Sequence, residues 1–520
     1  MKFTVDRDAL GEAVTWVARA LPTRPVLPVL AGLLLRAERE DPDQIGRNGQ
    51  GLLTLSCFDY EVSARMRVRA EVAEPGTFLV PGRLLVEIVR SLPGAPVEFG
   101  DDPDGISVTC GEASFAVASL PSAEYPELPD LPQLAGTADG GVLATAIGQV
   151  TPAASRDDTL PMLTAVNVEF DGITMTLAAT DRYRLAVREM AWNPAPGFAD
   201  QGRTALLVPA RTLSDAAKMM SAGAEVRIML RPSGDGTGAA APAGGGQAGG
   251  GVGAGRFAAS GSGPAEAMIG FEAGERQLTA RLLAGEFVRY RSRFPEEFGC
   301  TADLPAEAFA EAVRRVALVA ERGTPVQLTF APGRVTVGAA TQGQARARES
   351  VPADFTGDEP AIAFSPHYLL DGVIAATATP GSAAAPGGHA PGGRPGGTGS
   401  GAGADQAPAA GVSQGPASGR VRLWFTSASK PAVITSQPDP DAKQAESAFR
   451  YLVVPQRVAQ LSARWRLMAR RDARAERGGE AVPGEQQGRE QPDQHGQDQQ
   501  RERGEFGCPV HRRRIGQRVL

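Results

Sequence analysis

The feature that most constrains this chain is a pattern that recurs three times along it. "FLVPGRLLVEIVRSLPGAPVEF" begins at Phe78, "LLVPARTLSDAAKMMSAGAEVRIML" at Leu206 and "IAFSPHYLLDGVIAA" at Ile362. Each reads as a short apolar strand, a Pro or Ser-Pro at a helix start, and an amphipathic helix. Proline is tolerated in a first helical turn because its missing N–H has no intrahelical partner there. In the first copy Leu84, Leu85, Ile88, Val89 and Leu92 are expected to share one apolar face. A second triplet precedes the first: "RDALGEAVTWVARAL" from Arg7, "GVLATAIGQVTPAAS" from Gly141 and "PAEAFAEAVRRVALVAERG" from Pro305. These also read as amphipathic helices. The stretches that follow them, such as "GITMTLAATDRYRLAVREM", alternate with period two, as half-buried antiparallel strands do. A repeat of this length means three copies of one supersecondary unit. The expected fold is therefore α+β, with two helices packed on antiparallel sheets in each domain. The domains are expected over 1–135, 136–299 and 300–458, with boundaries near Gly136 and Gly299.

Three segments do not fit the repeat. Residues 232–263 and 378–419 are rich in Gly and Ala, the second also in Pro. Neither can bury enough apolar surface to offset its ordering entropy. Both read as loop insertions between a repeat's second helix and the strands that should follow. The run "GGGVGAG" has the glycines of a phosphate-cradling loop but neither a strand before it nor a helix after it. Residues 459–520 are rich in Arg, Gln and Glu and read as a disordered tail. Two origins fit that tail, a DNA-grazing extension or translation in a shifted reading frame.

Catalysis finds no support in the residues. His389, His495 and His511 lie in low-complexity sequence, and His367 stands in a first helical turn. No nucleophile elbow, zinc-protease motif or Walker loop occurs. The carboxylate pairs Asp157–Asp158 and Glu296–Glu297 read as solvated loops. Cys57, Cys110, Cys300 and Cys508 lack metal-ligand spacing and suit a reducing cytoplasm. The start "MKFTVDRDAL" has no apolar h-region, and no run approaches the about 18 apolar residues of a membrane span. No cofactor, metal or membrane is expected, and the location expected is cytoplasmic.

What remains is binding. A formal net charge of −6 argues against a chain coated in basic residues, but a local basic lining still suits nucleic acid. Candidates for phosphate contacts are Arg24 after the first helix, Arg83 and Arg90 on the second, and Arg211 and Lys218 on its counterpart.

Seven stretches, in order, resemble the bacterial β sliding clamp family, the processivity subunit of DNA polymerase III. They are "RPVLPVLAGLLL" from Arg24, "SRDDTLPMLTAV" from Ser155, "AATDRYRLAV" from Ala178 and "LLAGEFVRYRSRFPEE" from Leu282. "FSPHYLLDGV" from Phe364, "FTSASKPAVIT" from Phe425 and "YLVVPQRV" from Tyr451 complete the set. The resemblance implies a non-catalytic clamp, a head-to-tail homodimer closing a ring around double-stranded DNA, with helices lining the hole. It favours Arg24, Arg83, Arg156 and Arg211 as DNA contacts. It implies a dimer interface of Phe115 and Val117 against Leu318 and Val319. It also implies a groove between the second and third domains for short linear motifs of the polymerase, the clamp loader and repair proteins. Carried over by position, the groove wall is Leu163, Thr180, Tyr183, Arg184, Leu185, Val288 and Arg293. It continues with Leu452, Val453, Val454, Pro455, Gln456, Arg457 and Val458. Leu163, Leu185, Val454 and Pro455 would form its apolar floor, with Arg184 and Arg457 bonding peptide carbonyls or an acidic flank. The family usually has Gly and His at Arg182 and Tyr183, and Pro at Val288. Two alternatives fit the same residues: a divergent clamp that binds partner motifs weakly, and a peptide-binding adapter that does not encircle DNA.

Overall fold

The structure, a computed structural model, describes residues 1–39, 50–103, 105–198, 202–220, 223–231, 267–320, 323–341, 345–357, 361–379, 419–436 and 447–456. Among these residues the six α-helices are α1 (Arg7–Val17), α2 (Gly82–Ser91), α3 (Gly140–Val150), α4 (Ala210–Ala217), α5 (Ala306–Ala317) and α6 (Pro366–Thr377). α1 packs on α2, α3 on α4 and α5 on α6, so the repeated pattern is a repeated helix pair. Asp6 caps α1, its carboxylate accepting from the Asp8 and Ala9 N–H groups at 3.0 and 2.9 Å. Asp139 caps α3 in the same way, accepting from the Val142 N–H at 2.9 Å. Each satisfies donors that a first helical turn leaves without partners. Pro81 and Pro209 stand just outside α2 and α4 as caps, and only Pro366 lies inside its helix. Leu85, Ile88, Val89 and Leu92 are buried as expected, whereas Leu84 is exposed. Adjacent residues sit about 100° apart around a helix, so Leu84 turns away when Leu85 faces the core.

Each copy contributes two sets of four strands. In the first copy one set is Gly76–Pro81, Gly32–Arg39, Gln50–Phe58 and Val62–Glu74, in spatial order. The other is Lys2–Val5, Val97–Asp102, Gly105–Cys110 and Ala113–Ala118. The second and third copies repeat both sets, each with one further short strand, Asn193–Pro194 and Asp354–Thr356. Copies are joined by strand pairing. Val62–Glu74 of the first copy pairs antiparallel with Arg276–Arg281 of the second. Arg184–Ala191 of the second pairs with Phe449–Val453 of the third. Among the described residues Ala113–Ala118 pairs with Gly105–Cys110 alone, and Ala345–Pro352 with Arg334–Thr341 alone. One large apolar cluster runs through all three copies, filled from the helices and the inner strand faces.

Strand Gln133–Asp139 begins the second copy, so Gly136 lies inside a strand rather than at a connection. Gly299 immediately precedes strand Cys300–Pro305. Residues 232–266 lie outside the described residues. They connect two paired strands, Arg231 standing opposite Met268, and so interrupt a hairpin rather than a helix-to-strand connection. The second insertion follows α6 as expected, and beyond Ala378, Thr379 and Gly419 it too lies outside the described residues, as does the tail from 457 onward. No described helix is long and apolar enough to cross a membrane.

Candidate functional site

The second junction carries an apolar patch on its outer face. Antiparallel partners point to the same side of a sheet. Leu185 stands opposite Leu452, and Ala178 opposite Val187. These four side chains form one cluster with Tyr290, and Phe287, Phe294 and Val454 pack against it. The three aromatic residues come from the chain between the second and third copies, anchored by the Leu283 N–H donating to the Leu207 carbonyl at 2.9 Å. Burial, with Glu169 nearby, pushes the Tyr290 phenol up to about 12. The rim is apolar and open: Tyr183 is 56% exposed and Val288 40%. Leu163 is buried in the turn Pro161–Leu163, with Leu160 and Met162 exposed beside it. Thr180 is buried, its hydroxyl donating to the Arg184 carbonyl at 2.6 Å. The Val454 N–H donates to the Tyr183 carbonyl at 2.9 Å and the Gln456 N–H to the Ala363 carbonyl at 2.8 Å. Pro455 and Gln456 are half-buried and Arg293 is exposed, while Arg457 and Val458 lie outside the described residues. Tyr290, Phe287 and Phe294 were not among the expected wall residues. They lie in irregular chain, where no periodicity marks them.

Two expected wall residues lie on the other face. Arg184 stands opposite Val453, and Ala186 opposite Tyr451, so both pairs face inward. Val453 is fully buried in the main core. The Arg184 guanidinium bonds Asp181 at 2.9 Å and Asp371 of α6, and lies over the Tyr368 ring at 4.6 Å. Burial works against its charge, but Tyr451, Asp371 and Asp181 outweigh burial and hold its pKa above the ordinary arginine value. Its donors are therefore committed inside the protein and not offered to a peptide. Burial raises the Tyr451 phenol, whose hydroxyl donates to the Tyr368 carbonyl at 3.0 Å. Gly372 makes room for that ring, since a Cβ there would stand 2.5 Å from it.

The candidate DNA-facing arginines are all exposed. Arg24 and Arg211 line one cavity at the first junction. Arg83 on α2 reaches the same loop, donating to the Pro22 carbonyl at 3.3 Å. Arg156 lies apart, in the loop before the Pro161–Leu163 turn. Lys218 is held by Asp215 at 2.6 Å, which neutralises its charge locally. Arg90 is exposed at the end of α2. At the sheet edges, Val117 is buried and Phe115 half-buried, both packed into their own domain. Leu318, just after α5, is 84% exposed, and Val319 is half-buried.

Three copies of one helix pair on two sheets, joined strand to strand, define a clamp-type architecture. The family models of the DNA polymerase III beta subunit match it in order: the N-terminal domain over residues 1–129, the central domain over 138–288 and the C-terminal domain over 291–379. The chain belongs to the bacterial β sliding clamp family and is a non-catalytic DNA polymerase processivity clamp. The beta sliding clamp of Streptomyces coelicolor is 42% identical over 460 residues, covering 88% of this chain and 100% of that relative. That of Micrococcus luteus is 44% identical over 353 residues, covering 68% and 99%. The crystal structure of the Bacillus subtilis DNA polymerase sliding clamp superposes with a TM-score of 0.65 at 22% identity, covering 88% of this chain and 99% of that one.

Proposed function

We propose that this clamp closes a ring from two head-to-tail copies around duplex DNA in the cytoplasm and recruits partners through the outer groove of its second junction. One observation carries the ring. At both internal junctions the fourth strand of one set pairs with the last strand of the next copy. The third copy's equivalent, Ala345–Pro352, and the first copy's equivalent last strand, Ala113–Ala118, are the two left over. Pairing them between chains repeats the same junction a third time, and such a heterologous contact makes a ring when it closes. Leu318, exposed on the third domain with Val319 beside it, supports an apolar contact across that seam to the first domain's edge strand, which carries the half-buried Phe115 and the buried Val117.

Arg24, Arg83, Arg156 and Arg211 would meet phosphates loosely, since each fixed contact adds salt-dependent grip that slows sliding. The groove floor of Leu185, Leu452 and Tyr290, with Tyr183, Val288 and Val454 at its rim, suits an extended motif with apolar anchors. Such motifs would come from the polymerase, the clamp loader and repair proteins. Two assays test this. Clamp loaded on nicked circular DNA should persist at high salt and fall off after linearisation, and equal loss from both forms would refute encirclement. A labelled Gln-Leu-x-Leu-Phe peptide should bind in the micromolar range, about −8 kcal/mol, and lose that binding in Leu452→Ala. No binding by the parent chain would favour a clamp that forms the ring but reads other motifs.

A further inference from the structure

The two internal junctions share one plan, and one of them lacks its central side chain. Tyr60 and Arg182, with φ of 72° and 80°, are the two non-glycine residues with positive φ among the described residues, and they occupy the same place in equivalent turns. The Asp59 carboxylate accepts from the Glu61 and Val62 N–H groups at 3.1 and 2.8 Å. The Asp181 carboxylate accepts from the Tyr183 and Arg184 N–H groups, each at 3.0 Å. Val62 then pairs with Ala280, as Arg184 pairs with Val453. Asp215 occupies in α4 the position that Asp371 occupies in α6. At the second junction these two aspartates hold the Arg184 guanidinium beside Tyr368 and Tyr451. At the first, Val62 stands in place of that arginine, Thr212 in place of Tyr368 and Leu278 in place of Tyr451. Both carboxylates are kept. Asp59, Val62, Thr212, Asp215 and Leu278 line a cavity of about 270 Å³ together with Trp16.

We propose that this cavity receives the guanidinium of an arginine side chain presented by a partner polypeptide. The chain itself builds the complementary arrangement once, at the second junction, with its own arginine. A guanidinium offers a planar fork of donors to carboxylates and is weakly enough hydrated to enter a partly apolar site. Trp16 adds an aromatic wall of the kind that favours a cation. Arg19, Arg24 and Arg211 line the cavity with exposed side chains, so a partner there competes with DNA phosphates for Arg24 and Arg211. They select an arginine with an anionic group next to it, such as a C-terminal arginine, whose carboxylate stays at the mouth. Lys218, exposed on Asp215, is the local cation that the incoming group displaces or shares with.

The test uses the full chain labelled with 5-fluorotryptophan, its Trp16 resonance assigned from Trp16→Phe, and N-acetyl-L-arginine as the probe. The expected result is a saturable shift of that resonance, and none with N-acetyl-L-citrulline, which has the same shape without the charge. Asp215→Asn should weaken binding about tenfold or more, the cost of losing a charged hydrogen bond. Val62→Arg, which supplies the arginine in cis, should abolish probe binding and raise the melting temperature. An equal response to the citrulline analogue, no saturable response in the parent chain, or parent-like probe binding by Val62→Arg would each overturn the assignment.

Discussion

Arg184→Met tests how the second and third domains are held together. The arginine side chain is 6% exposed, and its partners Asp181 and Asp371 are 12% and 21% exposed. Removing one member of a buried ion pair costs about 3–5 kcal/mol, because the other is left charged and unpaired. Both aspartates keep some access to water, which places the expected loss near the lower end, about 3 kcal/mol. Methionine retains an unbranched apolar stem beside Tyr368, so the loss reports the guanidinium more than the packing. For units of about 150–250 residues each kcal/mol moves the melting temperature by about 2–4 °C, giving an expected fall of roughly 6–12 °C. Calorimetry of the full chain reads it in the transition that contains the second and third domains. Asp371→Asn in the same background should be strongly non-additive, with a coupling of about 1–3 kcal/mol. A buried pair is little screened, so the shift should persist at high salt. A fall below about 2 °C, or simple additivity with Asp371→Asn, would refute Arg184 as the clasp of this junction.

Leu318→Glu places a charge on the most exposed large apolar side chain at the third domain. It should convert the dimer to monomer at micromolar concentration, read as a halved mass by light scattering. Gly372→Ala forces a Cβ to 2.5 Å from the Tyr451 ring, and such overpacking costs about 1–3 kcal/mol, measurable by denaturant unfolding. Tyr290 has its pKa raised from 10.0 to about 12 by burial, so folding favours its protonated form. That contribution is complete below pH 10 and is lost as pH rises through 12. Tyr290→Phe should therefore flatten the alkaline loss of stability by up to roughly 1.4 kcal/mol per pH unit.

The helix pairs are legible in the sequence because each helix carries a 3.6-residue apolar period, and the second of each pair has a proline at its start, Pro81, Pro209 or Pro366. The groove is only half legible. Strand Arg184–Ala191 is covered on both faces for its first four residues, and such a strand carries no polar alternation to show which side chains point outward. Arg184 and Val453 could be assigned to a face only from the pairing of Leu185 with Leu452. That pairing joins residues far apart in sequence, and nothing local encodes it. Tyr290, Phe287 and Phe294 escape for a different reason, since a loop that covers a sheet has no period to read.

The two internal junctions share one backbone plan and differ in the side chains that fill it. A non-glycine residue at positive φ costs on the order of 1–3 kcal/mol. Tyr60 and Arg182 hold that conformation in equivalent turns, so the turn itself is what both junctions require. It aims an aspartate at the neighbouring domain's helix, Asp59 toward α4 and Asp181 toward α6. Where an arginine completes the arrangement, the junction is closed from within by Arg184. Where valine stands instead, two carboxylates and an open volume remain. The backbone thus fixes the joint, while one side chain decides whether that joint is sealed or left as a site. Ala113–Ala118 and Ala345–Pro352 are the edges equivalent to those paired at the two internal junctions. A strand pairing made twice within the chain has a third instance available at these edges, which the proposed ring makes with another copy.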